Sequence, residues 1–445
     1  MSEWRAEPLG TLAGVRRGIS YSEGTLQANS EDGRPYINMK SFLKDGGYNK
    51  DGLKFFSGHF TKADVATGRD LLLANTDVTP NGDIIGVPAY LPSYLQDEGV
   101  LFSHHVTRLN LNDKIQPKFL YYLLCIDTYR RSMLKYARGT TVLMLDMDGI
   151  KRISVKYPVS DSRQRKIACI LTSIDTAIEK TESLISKYQK IKAGLMHDLF
   201  TRGVTADGKL RPPREQAPEL YHETSAGWVP VEWEFGSISS IMESLIDGPF
   251  GSNLKTEHYV IDPGVRVVRL QNIQATSYND NDRAYVSDKH AAFLLRNKVL
   301  SGDILIAGLG EDRYPVGRAC LYPDNLPPAI NKADCFRLRC KVDEAENPFV
   351  MLYLNTEPAR VQIRKYEQGV TRPRINSGNF KKLIIPKPSI EEQKIITGQI
   401  MKVAEIIEVE KKRNHKLIME KLGLMQDLLT GKVPVKIDEP DKEFA

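Results

Sequence analysis

The stretch "GLMHDLFTRGV" (Gly194–Val204) recurs later in the chain as "GLMQDLLTGKV" (Gly423–Val433). The two copies are separated by 423 − 194 = 229 residues, and the same offset places Gln164 on Gln393. Farther upstream, an offset of one more residue continues the match. Because internal repeats decide architecture before motifs do, we predict a tandem duplication of a unit of about half the chain. The two copies match well at the back and diverge at the front.

The matched back of each copy predicts one long helix. Apolar residues recur there at alternating steps of three and four, the 3.5-residue period of a coiled-coil seam. The predicted seam residues are Ile167, Leu171, Ile174, Ile178, Ile185, Tyr188, Leu195 and Leu199 in the first copy, and Ile396, Ile400, Val403, Ile407, Leu417, Leu424 and Leu428 in the second. About 40 residues at 1.5 Å each give a rod of roughly 60 Å. Gly203 is expected to help end the first helix.

Such a seam must be buried against another surface. The favoured partner is the other helix of the same chain, in an antiparallel coiled coil with internal pseudo-twofold duplication; the alternative is that each helix packs on its own domain. Polar Glu410 and Asn414 lie near the middle of the second helix. They either fix the register of the pair at some cost in stability or are surface positions of a shifted seam.

The divergent fronts predict two α/β (α+β) domains, which we call the front domains. Strand-like runs are "PYINMKSF", "GRDLLLAN" and "FSHHVTRLNL" in the first, and "VRVVRLQNI" (Val265–Ile273), "SGDILIAGL" and "CFRLRC" in the second. A helix is predicted from Pro117 to about Tyr136, and a second, broken near Pro358, in the other front. The predicted boundaries are a front domain at 1–157, a helix at 158–204, a linker at 205–227, a front domain at 228–388, a helix at 389–433 and a tail at 434–445.

Composition limits the class of protein. Hydrophobic residues make up 41% and charged residues 27% of the chain, as in soluble globular proteins. The N-terminal sequence has no secretory pattern, and no apolar run is long enough to span a bilayer. The five cysteines show no CxxC spacing, which favours reduced thiols in a cytoplasmic protein over a zinc site. The formal charge of +6 permits a nucleic-acid partner.

Motifs that would indicate catalysis are incomplete. No GxxxxGK[ST] is present, "GLGEDR" at Gly308 has two glycines of a dinucleotide fingerprint, and "ENPFV" lacks the second proline of a methyltransferase tetrapeptide. His104 and His105 have no matching carboxylate or cysteine cluster, which favours a structural role over a metal site. Asp207-Gly208-Lys209 lacks the acidic partner of a nuclease motif. We therefore expect no catalytic or metal site in this chain.

Basic and amide side chains suit DNA instead. Arginine and lysine on one face attract phosphates, and arginine, glutamine and asparagine can read base edges. The candidates are Arg130, Arg131, Lys135 and Arg138 in the first front domain, and Lys255, Arg269, Gln271, Asn272, Arg360, Arg364, Lys365, Arg372 and Arg374 in the second. The alternative for each is a solvated helix face or an outward strand position.

The arrangement resembles the specificity subunit of Type I restriction–modification systems. The resemblance rests on "IIPKPSIEEQKI" leading into a long helix, on the "GLMxDLLTGKV" ending, on "DGPFGSNLKTEHYV" (Asp247–Val260) followed by "VRLQNI", and on the duplication. The first copy departs from this pattern: Arg163 precedes Gln164 where Glu392 precedes Gln393, and no GPFGS stands near Gly18.

The resemblance implies that each front domain is a target-recognition domain that reads one half of a bipartite, asymmetric site in double-stranded DNA. The helices would act as a spacer and dock methyltransferase subunits, two being expected, and restriction subunits would join the full complex. Catalysis would belong to those partners, which would bring S-adenosylmethionine, ATP and Mg²⁺. The alternatives are a specificity subunit of a Type II fused nuclease–methyltransferase, a free-standing DNA-binding regulator, and an enzyme whose site is not legible in the sequence.

Overall fold

The computed structural model describes residues 4–22, 24–27, 33–79, 81–224, 227–261, 264–311 and 313–437. These residues fall into two units. Unit 1 lies within Met1–Ser183 and Lys411–Ala445, and unit 2 within Leu184–Glu410. Each unit therefore contains one front domain together with a segment of each long helix.

Unit 1 combines short strands with short helices. Its strands are β1 (Trp4–Pro8), β2 (Ala13–Arg17), β3 (Leu26–Gln27), β4 (Arg34–Ile37), β5 (Lys54–Phe56), β6 (Val65–Ala66), β7 (Asp70–Ala74), β8 (Thr76–Asp77), β9 (Pro88–Ala89), β10 (Val100–Phe102), β11 (Val106–Leu111), β12 (Ala137–Arg138), β13 (Leu143–Leu145) and β14 (Ser154–Pro158). Its short helices are α1 (Leu9–Leu12), α2 (Ser93–Glu98), α3 (Pro117–Cys125), α4 (Asp127–Leu134) and α5 (Met147–Lys151). The long helix α6 (Asp161–Arg202) follows, and its residues up to Ser183 belong to this unit.

Unit 2 repeats this mixture. Its strands are β15 (Tyr221–Thr224), β16 (Gly227–Pro230), β17 (Glu234–Ser237), β18 (Met242–Ile246), β19 (Tyr259–Val260), β20 (Val265–Val268), β21 (Tyr285–Val286), β22 (Lys298–Val299), β23 (Ile304–Ala307), β24 (Ala319–Leu321), β25 (Ala329–Asn331), β26 (Cys335–Cys340) and β27 (Ile384–Lys387). Its short helices are α7 (Ile238–Ile241), α8 (Asp288–Phe293), α9 (Asn347–Leu354), α10 (Glu357–Tyr366) and α11 (Ser377–Phe380). The second long helix, α12 (Ile390–Leu429), begins here.

The two front domains share one sheet topology although their sequences diverge. The four-stranded sheet has the order β2-β11-β7-β9 in unit 1 and β18-β26-β23-β24 in unit 2. The five-stranded sheet has the order β3-β5-β4-β10-β6 in unit 1 and β19-β21-β20-β25-β22 in unit 2. In both five-stranded sheets the third pairing in this order, β4 with β10 or β20 with β25, is parallel. The other three pairings of each sheet are antiparallel. The internal duplication therefore extends through the front domains.

The long helices complete the cores of both units. In unit 1, Ile167 and Leu171 of α6 lie in one hydrophobic cluster with Leu428 and Leu429 of α12. In unit 2, the cluster holds Leu199 from the end of α6 together with residues from the start of α12. The beginning of one helix thus packs with the end of the other in each unit, which confirms the antiparallel pairing. Each end also packs on a front domain, so the two packing alternatives hold together.

All the predicted seam residues are buried or half-buried. Of the two polar residues near the middle of α12, Asn414 is half-buried in unit 1, where its Nδ2 donates to Glu182 Oε1 over 3.4 Å. Gly203 follows the last residue of α6 with a φ of +63°, the left-handed conformation that ends many helices. The prediction that this glycine helps end the helix is confirmed.

A buried glutamine anchors the start of each long helix to its front domain. In unit 1, Gln164 Oε1 accepts from the Gln116 backbone N–H over 2.7 Å, and its Nε2 donates to the carbonyl oxygens of Lys114 and Pro158. In unit 2, Gln393 Oε1 accepts from the Glu346 N–H over 2.9 Å, and its Nε2 donates to Pro388 O. The repeated glutamine is therefore a structural part of the scaffold.

Some of the predicted elements are confirmed, and others are shorter than their sequence pattern indicated. "CFRLRC" is a strand over its whole length, as predicted. The helix predicted from Pro117 to Tyr136 is wrong as a single element, because Ile126 is extended and separates α3 from α4. The helix in unit 2 breaks near Pro358, as predicted. The strand predicted through Ile273 ends at Val268, and the chain then forms a 3-10 turn at Leu270–Asn272.

The cysteines are all free thiols. Within the described ranges, no group of three or more histidine, cysteine, aspartate or glutamate side chains is placed to hold a metal ion. Likewise, no helix in the described part of the chain combines the length and the apolar character needed to cross a bilayer.

Candidate nucleic-acid interface

Two of the predicted basic residues are used by the fold itself. The Arg130 guanidinium donates to the carbonyl oxygens of Ile85 and Asp83 over 2.7 and 2.9 Å. At the matching position of unit 2, Arg360 donates to Val316 O. Burial lowers the pKa of both guanidinium groups. Because the same backbone contact occurs in both units, the repetition of this arginine in the sequence reflects loop anchoring.

Other basic candidates on these helices and their flanks are at the surface. Arg131 pairs with Asp127, and Arg364 pairs with Glu357, in exposed ion pairs. Arg138 lies 2.8 Å from Asp146 and is also exposed. Such pairs stabilise a fold little, and their cations remain able to approach a phosphate. Lys135 and Lys365 occupy equivalent exposed positions at the ends of α4 and α10.

In unit 2, Arg374 is held by two contacts. Its Nε lies 2.6 Å from Asp334 Oδ1, and its guanidinium stands 5.2 Å from the centre of the Phe250 ring. Phe250 belongs to the "DGPFGS" motif, so the motif and Arg374 form one structural cluster. Lys255, from the same motif, is exposed and lies 3.6 Å from Glu257.

Three of the four remaining candidates, Arg269, Gln271 and Asn272, lie on one turn of unit 2. Arg269 pairs with Asp282, and its backbone N–H donates to Asn272 Oδ1 over 2.8 Å. Asn272 is fully buried, and its Nδ2 donates to the carbonyl oxygens of Asn279 and Asp282. Gln271 lies between them and is exposed. Of the three, only Gln271 directs an amide away from the turn, because the hydrogen bonds of Asn272 are used within it.

Unit 1 contains a turn of the same construction, which the sequence analysis missed. Its 3-10 turn is Met39–Ser41. The Asn38 N–H donates to Ser41 Oγ over 3.2 Å, and Ser41 Oγ donates to Gly52 O. Buried Ser41 thus takes the place of buried Asn272, and exposed Lys40 takes the place of Gln271. We call Lys40–Asn49 and Gln271–Asn279 the recognition loops.

An open cavity of about 330 Å³ lies beside the recognition loop of unit 2. Its polar lining includes Gln271, Gln274, Glu311, Tyr314 and Arg372. Arg372 comes from the exposed hairpin that follows α10. Amide, carboxylate, phenol and guanidinium groups therefore converge on one concave surface of this unit, and such a surface suits the polar edges of bases and the adjoining phosphates.

Arg318 forms the floor of this cavity. Its Nε donates to Ile273 O over 2.7 Å and its Nη2 to Leu270 O over 3.0 Å, while Nη1 donates to carbonyl oxygens on the facing loop, Leu309, Tyr314 and Pro315. Burial lowers the pKa of Arg318. The side chain joins the recognition loop to the opposite wall and leaves Gln271 and Arg372 to face the opening.

The long helices carry a different kind of surface. Several apolar side chains of α12 remain exposed on the outward side of the seam. They are Met401, Ile406 and Val409 in unit 2, and Ile418, Met419 and Leu422 in unit 1. The positions 229 residues earlier on α6 hold Thr172, Ala177, Lys180, Gln189, Lys190 and Ala193. At these equivalent positions, the outward surface of α12 is therefore more apolar than that of α6.

Comparisons with known proteins agree with this arrangement. The family model described as Type I restriction modification DNA specificity domain matches residues 1–187 and again residues 230–418. The Type I restriction enzyme MjaVIII specificity subunit of Methanocaldococcus jannaschii is 24% identical over 400 residues, covering 87% of this chain and 85% of that protein. The Type I restriction enzyme EcoBI specificity subunit of Escherichia coli is 19% identical over 419 residues, covering 93% and 82%.

Solved structures share the fold. The crystal structure of the Type I restriction–modification S subunit from M. genitalium matches with a TM-score of 0.59 at 16% identity, covering 96% of each chain. A chain from a study of complex assembly and conformational transition of the type I system matches with a TM-score of 0.52, covering 97% of this chain and 98% of that one. These likenesses establish the architecture.

Proposed function

The chain belongs to the family of Type I restriction–modification DNA specificity proteins, and from that premise we propose that each front domain, 1–157 and 228–388, reads one half of a bipartite DNA site. The observation that carries the proposal is that both units have one sheet order but different exposed side chains. A shared framework with unlike surfaces is what two different half-sites require. Phosphate contacts would position each domain, and base contacts would specify the sequence.

The two long helices would set the distance between the half-sites and dock the methyltransferase subunits, two of which would flank the chain. The exposed apolar residues of α12 support docking, because a solvated helix usually carries polar side chains on its outward face. Burial of such residues against a partner helix would contribute favourable free energy.

Catalysis would reside in the partners. Methyltransferase subunits would bring S-adenosylmethionine, and restriction subunits would bring ATP and Mg²⁺. The residues of this chain would bind and orient DNA, with exposed groups such as Gln271 and Arg372 available for contact with it. A chain with these roles would have no activity until the partners join it.

A domain exchange in the reconstituted complex tests the reading of half-sites. Residues 1–157 are replaced by the corresponding domain of another family member, and the methylated sequence is mapped across a genome. One half of the recognised sequence should change while the other half and the gap stay the same. A change in both halves would contradict the proposal, as would robust methylation or cleavage by the purified chain alone.

Removing one heptad from each long helix tests the spacer. Seven residues at 1.5 Å shorten a helix by roughly 10 Å, which is about three base pairs of DNA at 3.4 Å each. The methylated sequence should keep both halves and lose about that many bases from the gap. An unchanged gap would refute the role of the helices as a spacer.

A further inference from the structure

The two recognition loops share one pattern of hydrogen bonds, which we call the backbone frame. An asparagine donates in both loops, and the residues whose carbonyl oxygens accept differ. In unit 1 the Asn49 N–H donates to Ser41 O over 2.9 Å, and Asn49 Nδ2 donates to Lys40 O over 2.9 Å. In unit 2 the Asn279 N–H donates to Asn272 O over 2.7 Å, and Asn279 Nδ2 donates to Gln271 O over 3.2 Å. The four bonds match pairwise, so the frame is equivalent in the two units.

The far side of each loop is anchored in the same way. The Gly47 N–H donates to Pro88 O over 3.0 Å, and the Thr276 N–H donates to Ala319 O over 2.8 Å. Both residues have a positive φ, +106° for Gly47 and +65° for Thr276. A β-branched residue in this conformation is strained, and the Lys192 Nζ, 3.0 Å from Thr276 Oγ1, helps hold it. Each loop is therefore fixed at both ends.

Lys40 and Gln271 occupy the same place on this frame. In each case the carbonyl oxygen is bound by an asparagine side chain, and the next residue is buried, Ser41 or Asn272. The Cα of the exposed residue is thus fixed, and its side chain extends to the solvent. Recognition of a base edge requires this combination, because a reading group has to be presented from a rigid position.

The two side chains differ in hydrogen-bonding capacity. A lysine ammonium offers donors alone, which match the O6 and N7 acceptors of guanine in the major groove. A glutamine amide offers a donor and an acceptor, which match the N7 and N6 groups of adenine. Arg372, which lines the cavity beside Gln271, would supply a positive charge for the adjoining phosphate.

We propose that Lys40 and Gln271 are specificity-determining residues, with Lys40 contacting a guanine in one half-site and Gln271 an adenine in the other. The assignment rests on the proposed function. It predicts that exchanging the two side-chain types exchanges the preferred bases, one half-site at a time.

The test uses the full chain in the complex with its methyltransferase subunits, in the native host, with the methylated sequence read by genome-wide mapping. Gln271→Lys should change one base position of one half-site from adenine towards guanine, and Lys40→Gln should change one position of the other half-site from guanine towards adenine. Each change should alter the preference by at least about 5-fold, the lower end for a well-formed side-chain–base contact. The conservative Lys40→Arg should keep guanine.

Matched controls are Gln216→Lys and Lys62→Gln, which alter the same residue types at exposed positions outside the recognition loops. Both controls should leave the methylated sequence unchanged. If either loop variant stops methylation, selection of bound sequences from a random DNA pool by the purified complex replaces the mapping. Recovery of the wild-type sequence by both loop variants, in either assay, overturns the assignment. A wild-type complex that methylates no bipartite sequence would instead refute the proposed function.

Discussion

Trp233 lies directly against Gly203, where a Cβ added to the glycine would come within 2.6 Å of the indole Cζ2. The same relationship exists in unit 1, where a Cβ on Gly431 would come within 2.6 Å of Trp4 Cε2. In each unit a tryptophan near the start of a front domain thus packs on the glycine that follows a long helix. The tight fit explains why the sequence after both helices contains glycine.

Gly203→Ala should destabilise unit 2. The added Cβ would lie 2.3 Å from Glu392 Oε1 and 2.4 Å from Arg211 Nη1, and the φ of +63° is unfavourable for alanine. We expect a loss of roughly 1–3 kcal/mol from overpacking, measured by urea denaturation. Gly194→Ala is the control: nothing lies within 4 Å of its added Cβ, and alanine inside a helix should stabilise by about 0.5–1 kcal/mol. Equal stability of both variants would contradict the expected clash.

Arg211 and Glu392 form a buried ion pair. Their Nη1 and Oε1 atoms lie 2.5 Å apart, and both side chains are at most one-tenth exposed. Burial by itself would lower the pKa of Arg211, but the hydrogen bonds to Glu392 and Glu232 raise it overall.

Arg211→Met should cost about 3–5 kcal/mol, because it leaves the buried carboxylate of Glu392 unpaired. The double variant Arg211→Met, Glu392→Met should recover most of that loss, since it removes both charges. A double-mutant cycle on unfolding free energies measures the coupling. Additive losses would show that the pair is not coupled.

Arg130→Lys should lower stability without altering the recognised sequence. Lysine keeps the charge but cannot reproduce both bonds to the Ile85 and Asp83 carbonyl oxygens, and each unsatisfied buried acceptor costs about 1–3 kcal/mol. In contrast, Lys135→Ala should leave stability within about 0.5 kcal/mol and reduce the slope of log affinity against log salt by about one. Thermal unfolding and salt-dependent DNA binding by the complex measure the two effects. A change of half-site in the Arg130 variant would show that it reads bases.

Asp247 should make unit 2 less stable as the pH rises from about 4 to about 6. Burial raises the pKa of Asp247 from 3.8 to about 6, and the charge of Asp334 adds to the increase. The folded state therefore holds this proton more tightly than the unfolded state, so the contribution is full below pH 3.8 and is lost as the pH rises through 6. Relative to the wild type, Asp247→Asn should gain stability across this window and no further above it, in urea denaturation at several pH values. Asp97→Asn, at an exposed position, is the control, and a gain that appears only above pH 6 would contradict the assignment.

The scaffold was predictable because it repeats. The seam period of Ile167 and Leu171, and the identity of Gln164 with Gln393, follow from burial that both copies share. Gly18 shows the limit of this approach. Gly18 and Gly248 both allow a close approach of backbone, since a Cβ on either glycine would come within about 2 Å of a backbone atom. The residues that flank the two glycines differ, so the sequence did not reveal this equivalence.

The recognition surface was less predictable for the same reason. The arginines that repeat in both units, Arg130 and Arg360, bind backbone carbonyl oxygens of the fold. Lys40 does not repeat, because Gln271 occupies the equivalent position in unit 2. The available signal was the pair Tyr48-Asn49 and Tyr278-Asn279, which follows a strand and a turn in both fronts. The one-residue difference in loop length and the substitution of Ser41 for Asn272 concealed it.

The end of α12 belongs to unit 1, which is otherwise formed by the N-terminal part of the chain. This arrangement sets an order for folding during synthesis. Unit 2 is continuous in sequence, from Leu184 to Glu410, whereas unit 1 needs the segment that begins at Lys411. Because the chain is synthesised from its N-terminus, the first front domain emerges early. At that stage it lacks Leu428 and Leu429, which complete its hydrophobic cluster. The front domain that is made first therefore completes its hydrophobic cluster last, when the end of α12 has been synthesised.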